Sequence, residues 1–526
     1  MNIKTLSFVA LVSAGLGVVL MAVRTYYAVS FSEPLQLTTS GAEYESLYVI
    51  WKYIQGAPVY VDQTRIPFAG TYYNWLYYAF YGEVASFVLS ALSLTDAWLP
   101  TITKLLTLSG ATIGTWVSYR CFWNMGFGQD KNGRLLSFAF AVLLFFGPLM
   151  GFWAIATAPD IWALTLDVTA VFVFLRYYQS HPVKAVLLFC LFAYLAWSFK
   201  QIFVFSPGAV GLLLLIRRDW KLLFILTFGM WSAWGLTLAI GSLDYVHTIV
   251  AFGGTSVELA RYELVRNLIN LTVKIQPVLI MLAVAVIATV INPSFRTVLR
   301  VGFSEGENRG PEITFSLALL GVLITSVLAI PASAKIGASE NYYFTLTFFM
   351  MLAGLSWLRI SSQKENIVGW AYGAMSLGWL GNLIAVSSVF VGLQGVLSTR
   401  HMHDSMTAAA GCLNQQSLSD SLFISNPYLS LPWMVPARQH FVIHYNYPMD
   451  RASGVSMEGG GVGGLIDDGY FATLILPAGL KGSYDGAQLS RYRLRPQTCP
   501  GLLIYDRTNV PAPPPDQTSG GSAPKS

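Results

Sequence analysis

Between Gly41 and Gly82 a chain that is elsewhere rich in hydrocarbon carries Glu43, Glu45, Asp62 and Arg65 among Tyr and Trp side chains, and Pro58, Pro67 and Gly70 interrupt its helical runs. Three more charges stand at the ends of apolar runs: Asp160 in ATAPDIWALTL, Lys200 in AWSFKQIFVFSPG and Lys335 in PASAKIGASENYYF. A carboxylate at headgroup depth can take a proton from a hydroxyl, and a Lys there meets a phosphate as a point charge with several donors. Each also has a plainer use. Glu43 suits the start of a helix, Asp160 a cheaply solvated span end, and Lys200 a snorkelling position. Asp167, one to two turns deeper than Asp160, could pair with a neighbouring helix. Glu340, Asn341 and Tyr342 follow Lys335, and residues 244–276 supply Arg261 and Arg266, which could hold phosphate or sugar or form a solvated helix face.

The elements that must position these groups are membrane helices. Of 526 residues 54% are hydrophobic and 11% charged, with mean hydropathy +0.53, against about 25% charged in a soluble chain. The net charge of +5 is scattered in ones and twos, which excludes a nucleic-acid stripe. Runs near the roughly 20 residues that cross a bilayer are read at 6–23, 99–119, 135–157, 161–178, 184–199, 201–216, 221–241, 277–292, 312–331, 343–358 and 367–392, about eleven spans in all.

With Lys4 cytoplasmic, alternate loops carry Arg120, Lys131 and Arg134, then Lys184, then Arg217, Arg218 and Lys221, then Arg296 and Arg300, then Arg359 and Lys364. All fall on one side provided that Tyr72 to Leu94 lies along the outer surface instead of crossing. Glu43, Asp160, Lys200 and Lys335 then share the outer side. The first span, although it follows a Lys as a secretory signal would, has no convincing cleavage site and is expected to stay as an anchor.

After about residue 395 the composition shifts. Residues 396–508 read as a small extracytoplasmic α/β domain: a helix near 398–413, short apolar runs in SLFIS, FVIHYNY, YFATLILP and GLLIYD, a strand, helix, strand crossover rhythm in SNPYLSLPWMVPARQHFVIHY, and EGGGVGGLIDDGY as a flexible connector. Residues 509–526 read as a disordered tail. Cys412 and Cys499 share this exported part, so a disulfide has one pairing available, whereas Cys121 and Cys190 are packing residues. No HExxH, CxxC or GxSxG motif is present, and HMHD at 401–404 reads as a polar helix face.

GAEYESLYVIWKYIQGAPVYVD, with an early acid, a helix, a Gly and a G-x-P-x-Y-x-D phrase, followed by the aromatic YYNWLYYAFYG, resembles the first external loop of GT-C class integral-membrane glycosyltransferases. The branch is that of protein mannosyltransferases and aminoarabinose lipid-A transferases. APDIWAL with Asp160, SFKQIF with Lys200 and AKIGASENYY with Lys335 resemble further features of the class, in order, up to about residue 395. One departure is plain: the usual Asp-Glu pair is absent, and Glu43 or Glu45 must supply the leading acid.

The resemblance implies a GT-C-like membrane domain over 1–395, with an external loop at 25–98, in the plasma membrane, the bacterial inner membrane if the cell has two. It implies transfer of a sugar from a polyprenyl-phosphate donor to an extracytoplasmic lipid, glycan or protein, with inversion. Glu43 would be the base and Asp160 the second acid. Lys200, Lys335 and Arg65 would face the donor phosphate, and Tyr44, Glu45, Arg261, Glu340, Asn341 and Tyr342 would line the substrate site. No cofactor is required, and a divalent cation between the acids is left open. The competing expectation is a lipid-linked sugar flippase or other polytopic transporter, which should carry its charges near the middle of spans.

Overall fold

The computed structural model describes residues 2–29, 43–127, 131–250, 259–291, 310–335, 338–363, 369–419, 421–480 and 483–508. The expected tail at 509–526, the start of the first loop, Arg296, Arg300 and Lys364 lie outside the described residues.

The chain divides into two units, one of Met1–Val61 with Gly70–His403, the other of Asp62–Ala69 with the chain from Asp404 onward. The expected boundary near 395 therefore falls eight residues later. Asp62–Ala69, expected to act with the rest of the first loop, belongs to the second unit.

The first unit is helical. In chain order come α1 (Ile3–Ala28), α2 (Glu43–Ile54), α3 (Trp75–Ala91), α4 (Leu99–Cys121), α5 (Lys131–Phe146), α6 (Asp160–Tyr177), α7 (Pro182–Phe199) and α8 (Phe205–Ile216). There follow α9 (Trp220–Ile240), α10 (Leu243–Val250), α11 (Arg261–Lys274), α12 (Gln276–Ile291), α13 (Gly310–Ala332), α14 (Phe344–Gln363), α15 (Gly369–Ser387) and α16 (Val389–Asn414), whose residues from Asp404 onward are assigned to the second unit. Among the described residues five helices are long and apolar enough to cross a membrane, and six if α11 and α12, bent by 83° at their junction, count as one broken span. The chain is an integral membrane protein. The run expected to be helical to 157 is α-helical only to Phe146, because Gly147 and Pro148 end it.

Packing of α4, α5 and α6 places the start of α6. A Cβ at Gly114 would lie 2.3 Å from the Phe145 ring and 2.5 Å from Thr165 Oγ1, so only Gly admits these helices so closely. Thr165 Oγ1 donates to Gly110 O at 3.0 Å and Trp162 Nε1 to Leu106 O at 3.0 Å, joining α6 to α4. At the other end of the helices, Arg359 Nη1 donates to Asn124 O at 3.1 Å, and the Arg120 and Arg134 guanidinium groups lie 5.6 and 4.7 Å from the Trp123 ring. Three basic residues flanking two different loops thus lie at one end.

In the second unit a four-stranded sheet has the order β1 (Leu422–Ile424), β2 (Thr473–Pro477), β6 (Leu502–Arg507), β5 (Tyr492–Leu494), with β3 (Ser483–Tyr484) and β4 (Ala487–Gln488) forming a separate pair. β1 and β2 run parallel, Phe423 opposite Leu474, and β6 is antiparallel to β2 and to β5. The expected helix is present and three of the four apolar runs hold strands, but the strand, helix, strand unit expected in SNPYLSLPWMVPARQHFVIHY does not form, since residues 425–446 are turns and irregular chain. FVIHYNY is not a strand: Phe441 and Val442 are buried in irregular chain. Nor is the Gly-rich run merely a connector, since Gly461–Asp467 is a short helix entered through Gly459, Gly460 and Gly461, all at positive φ. Cys412 and Cys499 are disulfide-bonded.

Candidate active site

Asp160 opens α6 and is fully buried. Its Oδ1 accepts from Lys200 Nζ at 2.6 Å and from Asn341 Nδ2 at 3.0 Å, while its Oδ2 is buried with no hydrogen-bond partner. Lys200 follows the last turn of α7, and its ammonium lies 5.5 Å from the Tyr73 ring. Asp160, Lys200 and Asn341, from three distant stretches of sequence, form one buried constellation.

Asn341 is held from behind. Glu340 accepts from Lys274 Nζ and from Ser339 Oγ, and Asn267 Nδ2 donates to Ser333 O at 2.9 Å, so the end of α11 grips the turn between α13 and α14. Glu340, expected to meet substrate, is paired with Lys274 on this turn. Tyr342 lines an apolar groove of about 360 Å³ with Gln201, Trp197, Trp231, Trp234 and Leu328.

The first loop enters the same region. Gln201 Nε2 donates to Tyr72 O at 2.8 Å, Tyr60 OH to Tyr73 O at 3.0 Å, and Asn74 Nδ2 to Trp197 O at 2.9 Å. Burial, and then the negative charge of Asp160, push the Tyr73 phenol well above its ordinary pKa, with Tyr78, Glu45 and Tyr342 adding to the effect. Tyr73 therefore stays a neutral donor at physiological pH.

Glu43 and Glu45 lie in the first turn of α2, both buried, as is Tyr44. Glu43 Oε1 accepts from Lys104 Nζ at 2.7 Å and from the Thr157 backbone N–H at 2.8 Å, and both side chains of the ion pair are 1% exposed. The sequence treated Glu43 as open to an acceptor. The structure places it in a buried ion pair that joins α2 to α4 and to the chain before α6.

The remaining expected residues divide. Lys335 is half-buried on the turn, bridged to Leu259. Arg261 is exposed at the start of α11, and Arg266 donates to Ala338 O at 2.9 Å. Arg65 belongs to the second unit, 75% exposed beside Asp62. Three contributors escaped the sequence. Lys104 had the clearest signal, a lone cation one turn and more inside an apolar run. Tyr73 was one Tyr among many, and Lys274 read as the end of a surface helix.

The side chains do not fit a divalent cation between the two acids. Glu43 and Asp160 each carry a Lys ammonium, and among the described residues no group of three or more His, Cys, Asp or Glu side chains could hold a metal.

No protein-family model and no curated protein sequence matches the chain. Similar solved structures are those of the oligosaccharyltransferase of Archaeoglobus fulgidus. Its complex with Zn and sulfate is 13% identical, with TM-score 0.44, covering 83% of this chain and 61% of that one. Its apo form is 10% identical, with TM-score 0.48, covering 82% and 60%. The AglB complex with an inhibitory peptide and a dolichol-phosphate is 10% identical, with TM-score 0.48, covering 96% and 74%. The chain thus spans about three fifths of the length of the first two. At these scores the likeness carries no statement about chemistry, which rests on the residues.

Proposed function

We propose that the protein is a GT-C class membrane glycosyltransferase that moves a sugar from a polyprenyl-phosphate donor to a hydroxyl of a lipid, glycan or protein acceptor outside the cytoplasm, with inversion. The observation that carries this reading is the buried Asp160, one oxygen bound by Lys200 and Asn341 and the other without a partner, close to a groove lined by Trp and other apolar side chains. The acceptor is deprotonated by Asp160 Oδ2 as its nucleophilic atom bonds to the anomeric carbon, and the bond from that carbon to the phosphate oxygen breaks. Once Asp160 holds the proton its attraction for Lys200 falls, and the ammonium, with the Tyr73 hydroxyl, is left for the charge growing on the departing lipid phosphate. The groove suits the isoprenoid chain.

Glu43, proposed from the sequence as the base, is better suited to holding α2 through Lys104, and Glu45 remains near enough to Tyr73 to orient the acceptor. About eleven spans, a cytoplasmic N-terminus and an extracytoplasmic second unit complete the proposal; the gathering of Arg120, Arg134 and Arg359 at the end away from Asp160 supports that orientation.

The test is a transfer assay on the purified full chain with synthetic polyprenyl-phosphate sugars of several headgroups and chain lengths. Asp160→Asn should lower kcat by about 100-fold or more, the range of general-base catalysis, and shortening the isoprenoid should raise KM. Full activity in Asp160→Asn refutes the assignment, and translocation of an unconsumed donor favours a flippase.

A further inference from the structure

Asp167 is a buried carboxyl with no part in the transfer step proposed above. It lies seven residues after Asp160 in α6, so the two stand on one face of the helix, two turns and about 10 Å apart along its axis. Burying a carboxyl this far inside an apolar run is expensive, so its partners are informative. Asp167 Oδ2 accepts from Thr345 Oγ1 at 3.0 Å. The Ser206 hydroxyl, fully buried, faces the same carboxyl, and among the described residues neither Ser206 Oγ nor Asp167 Oδ1 has another hydrogen-bond partner.

These partners repeat the candidate site at a deeper level of the same unit. Asn341 precedes α14 and Thr345 stands in its first turn, while Lys200 follows α7 and Ser206 stands in the first turn of α8. Asp160 meets Lys200 and Asn341, and Asp167 meets Ser206 and Thr345, so the same three stretches of chain are joined twice. One junction alone would leave α6 free to pivot about it, whereas two fix its tilt against α14. The junction at Asp160 cannot hold through the reaction, because a proton on Asp160 loosens its pair with Lys200. We propose that Asp167 is a positioning residue: with Thr345 and Ser206 it keeps α6, α8 and α14 aligned while the Asp160–Lys200 pair opens. The inference rests on the transferase reading for its kinetic consequence, and on the contacts alone for its mechanical one.

Two measurements on the full chain in nanodiscs separate these. Thr345→Val removes the hydroxyl from a side chain of nearly the same shape, and Asp167→Ala removes the carboxyl. In both, kcat with a polyprenyl-phosphate sugar should fall by about tenfold to 100-fold, the scale of losses from a displaced reacting group, with KM for the donor nearly unchanged. Because both variants break one contact, the double variant should lose no more than Asp167→Ala alone. Asp167→Asn, whose amide can still accept from Thr345 and donate to Ser206, should recover most of kcat, which a residue that carries a proton or a charge would not allow. Amide hydrogen exchange should rise by about tenfold across 160–163 and 341–345 in Thr345→Val and Asp167→Ala, and stay at the wild-type rate across α1. The proposal is overturned if exchange at those segments is unchanged, if it rises equally across α1, if it rises while kcat holds, if the losses of the two substitutions multiply, or if Asp167→Asn is as slow as Asp167→Ala. Should the wild type transfer no sugar, the functional reading fails, and exchange across 160–163 and 341–345 still decides the alignment.

Discussion

Replacing Lys104 by Met tests a deeply buried ion pair of the membrane unit. Lys104 and Glu43 are each 1% exposed, 2.7 Å apart, and the carboxylate also takes the Thr157 N–H. Removing the cation leaves a carboxylate that has given up its hydration and its counter-charge, a loss on the order of 3–5 kcal/mol. That is a large part of the 5–15 kcal/mol typical of a folded protein. Lys104→Met combined with Glu43→Gln removes both charges, and the amide oxygen can still accept from Thr157. The double variant should therefore be more stable than Lys104→Met alone, and the two effects should be non-additive by about 2 kcal/mol or more. Reversible unfolding in mixed micelles, run as a complete double-mutant cycle, measures this. If Lys104→Met lies within about 1 kcal/mol of the wild type, the value of a solvated pair, or if the two substitutions simply add, the pair is not the buried joint described.

The Cys412–Cys499 bond closes a separation of 87 residues, so its loss in Cys412→Ser should destabilise the second unit by up to about 4.6 kcal/mol on chain-entropy grounds; unchanged protease resistance of that unit in Cys412→Ser would count against it. Burial lowers the His444 pKa to about 4 from its ordinary 6.5. The unfolded chain therefore binds the proton first, so stability from neutral His444 is complete above about pH 6.5 and is lost as pH falls toward 4, with a slope of up to about 1.4 kcal/mol per pH unit. A pH series of unfolding midpoints should show that slope in the wild type and lose it in His444→Gln; an equal slope in both would exclude His444 as its source.

Much of the second unit was legible in local pattern. SLFIS, YFATLILP and GLLIYD carry the apolar density of buried strands and became β1, β2 and β6. FVIHYNY has the same look but is held by single contacts, among them His444 N–H to Phe68 O, to a segment almost 400 residues earlier in the chain. Strand propensity could not anticipate that partner, because backbone groups satisfied by a distant loop need no sheet. At the site, Asp160, Lys200 and Asn341 each stood out by residue type and place. Glu340 stood out equally, but its pairing with Lys274, 66 positions away, was not legible.

The sequence by itself determined that the chain lives in a membrane, that its acids and a pair of its lysines gather at the ends of apolar runs opposite the basic loops, and that Cys412 and Cys499 are the pair available for a disulfide. Those follow from composition, run length and element order, which are local or additive properties. Only the tertiary structure decided that Lys200 serves Asp160 and Lys104 serves Glu43, and that Arg65 and Phe68 belong to the C-terminal unit. A buried charge takes whichever partner helix packing brings within about 3 Å, and here that packing depends on contacts such as Gly114 against Phe145, made between residues that no local pattern connects.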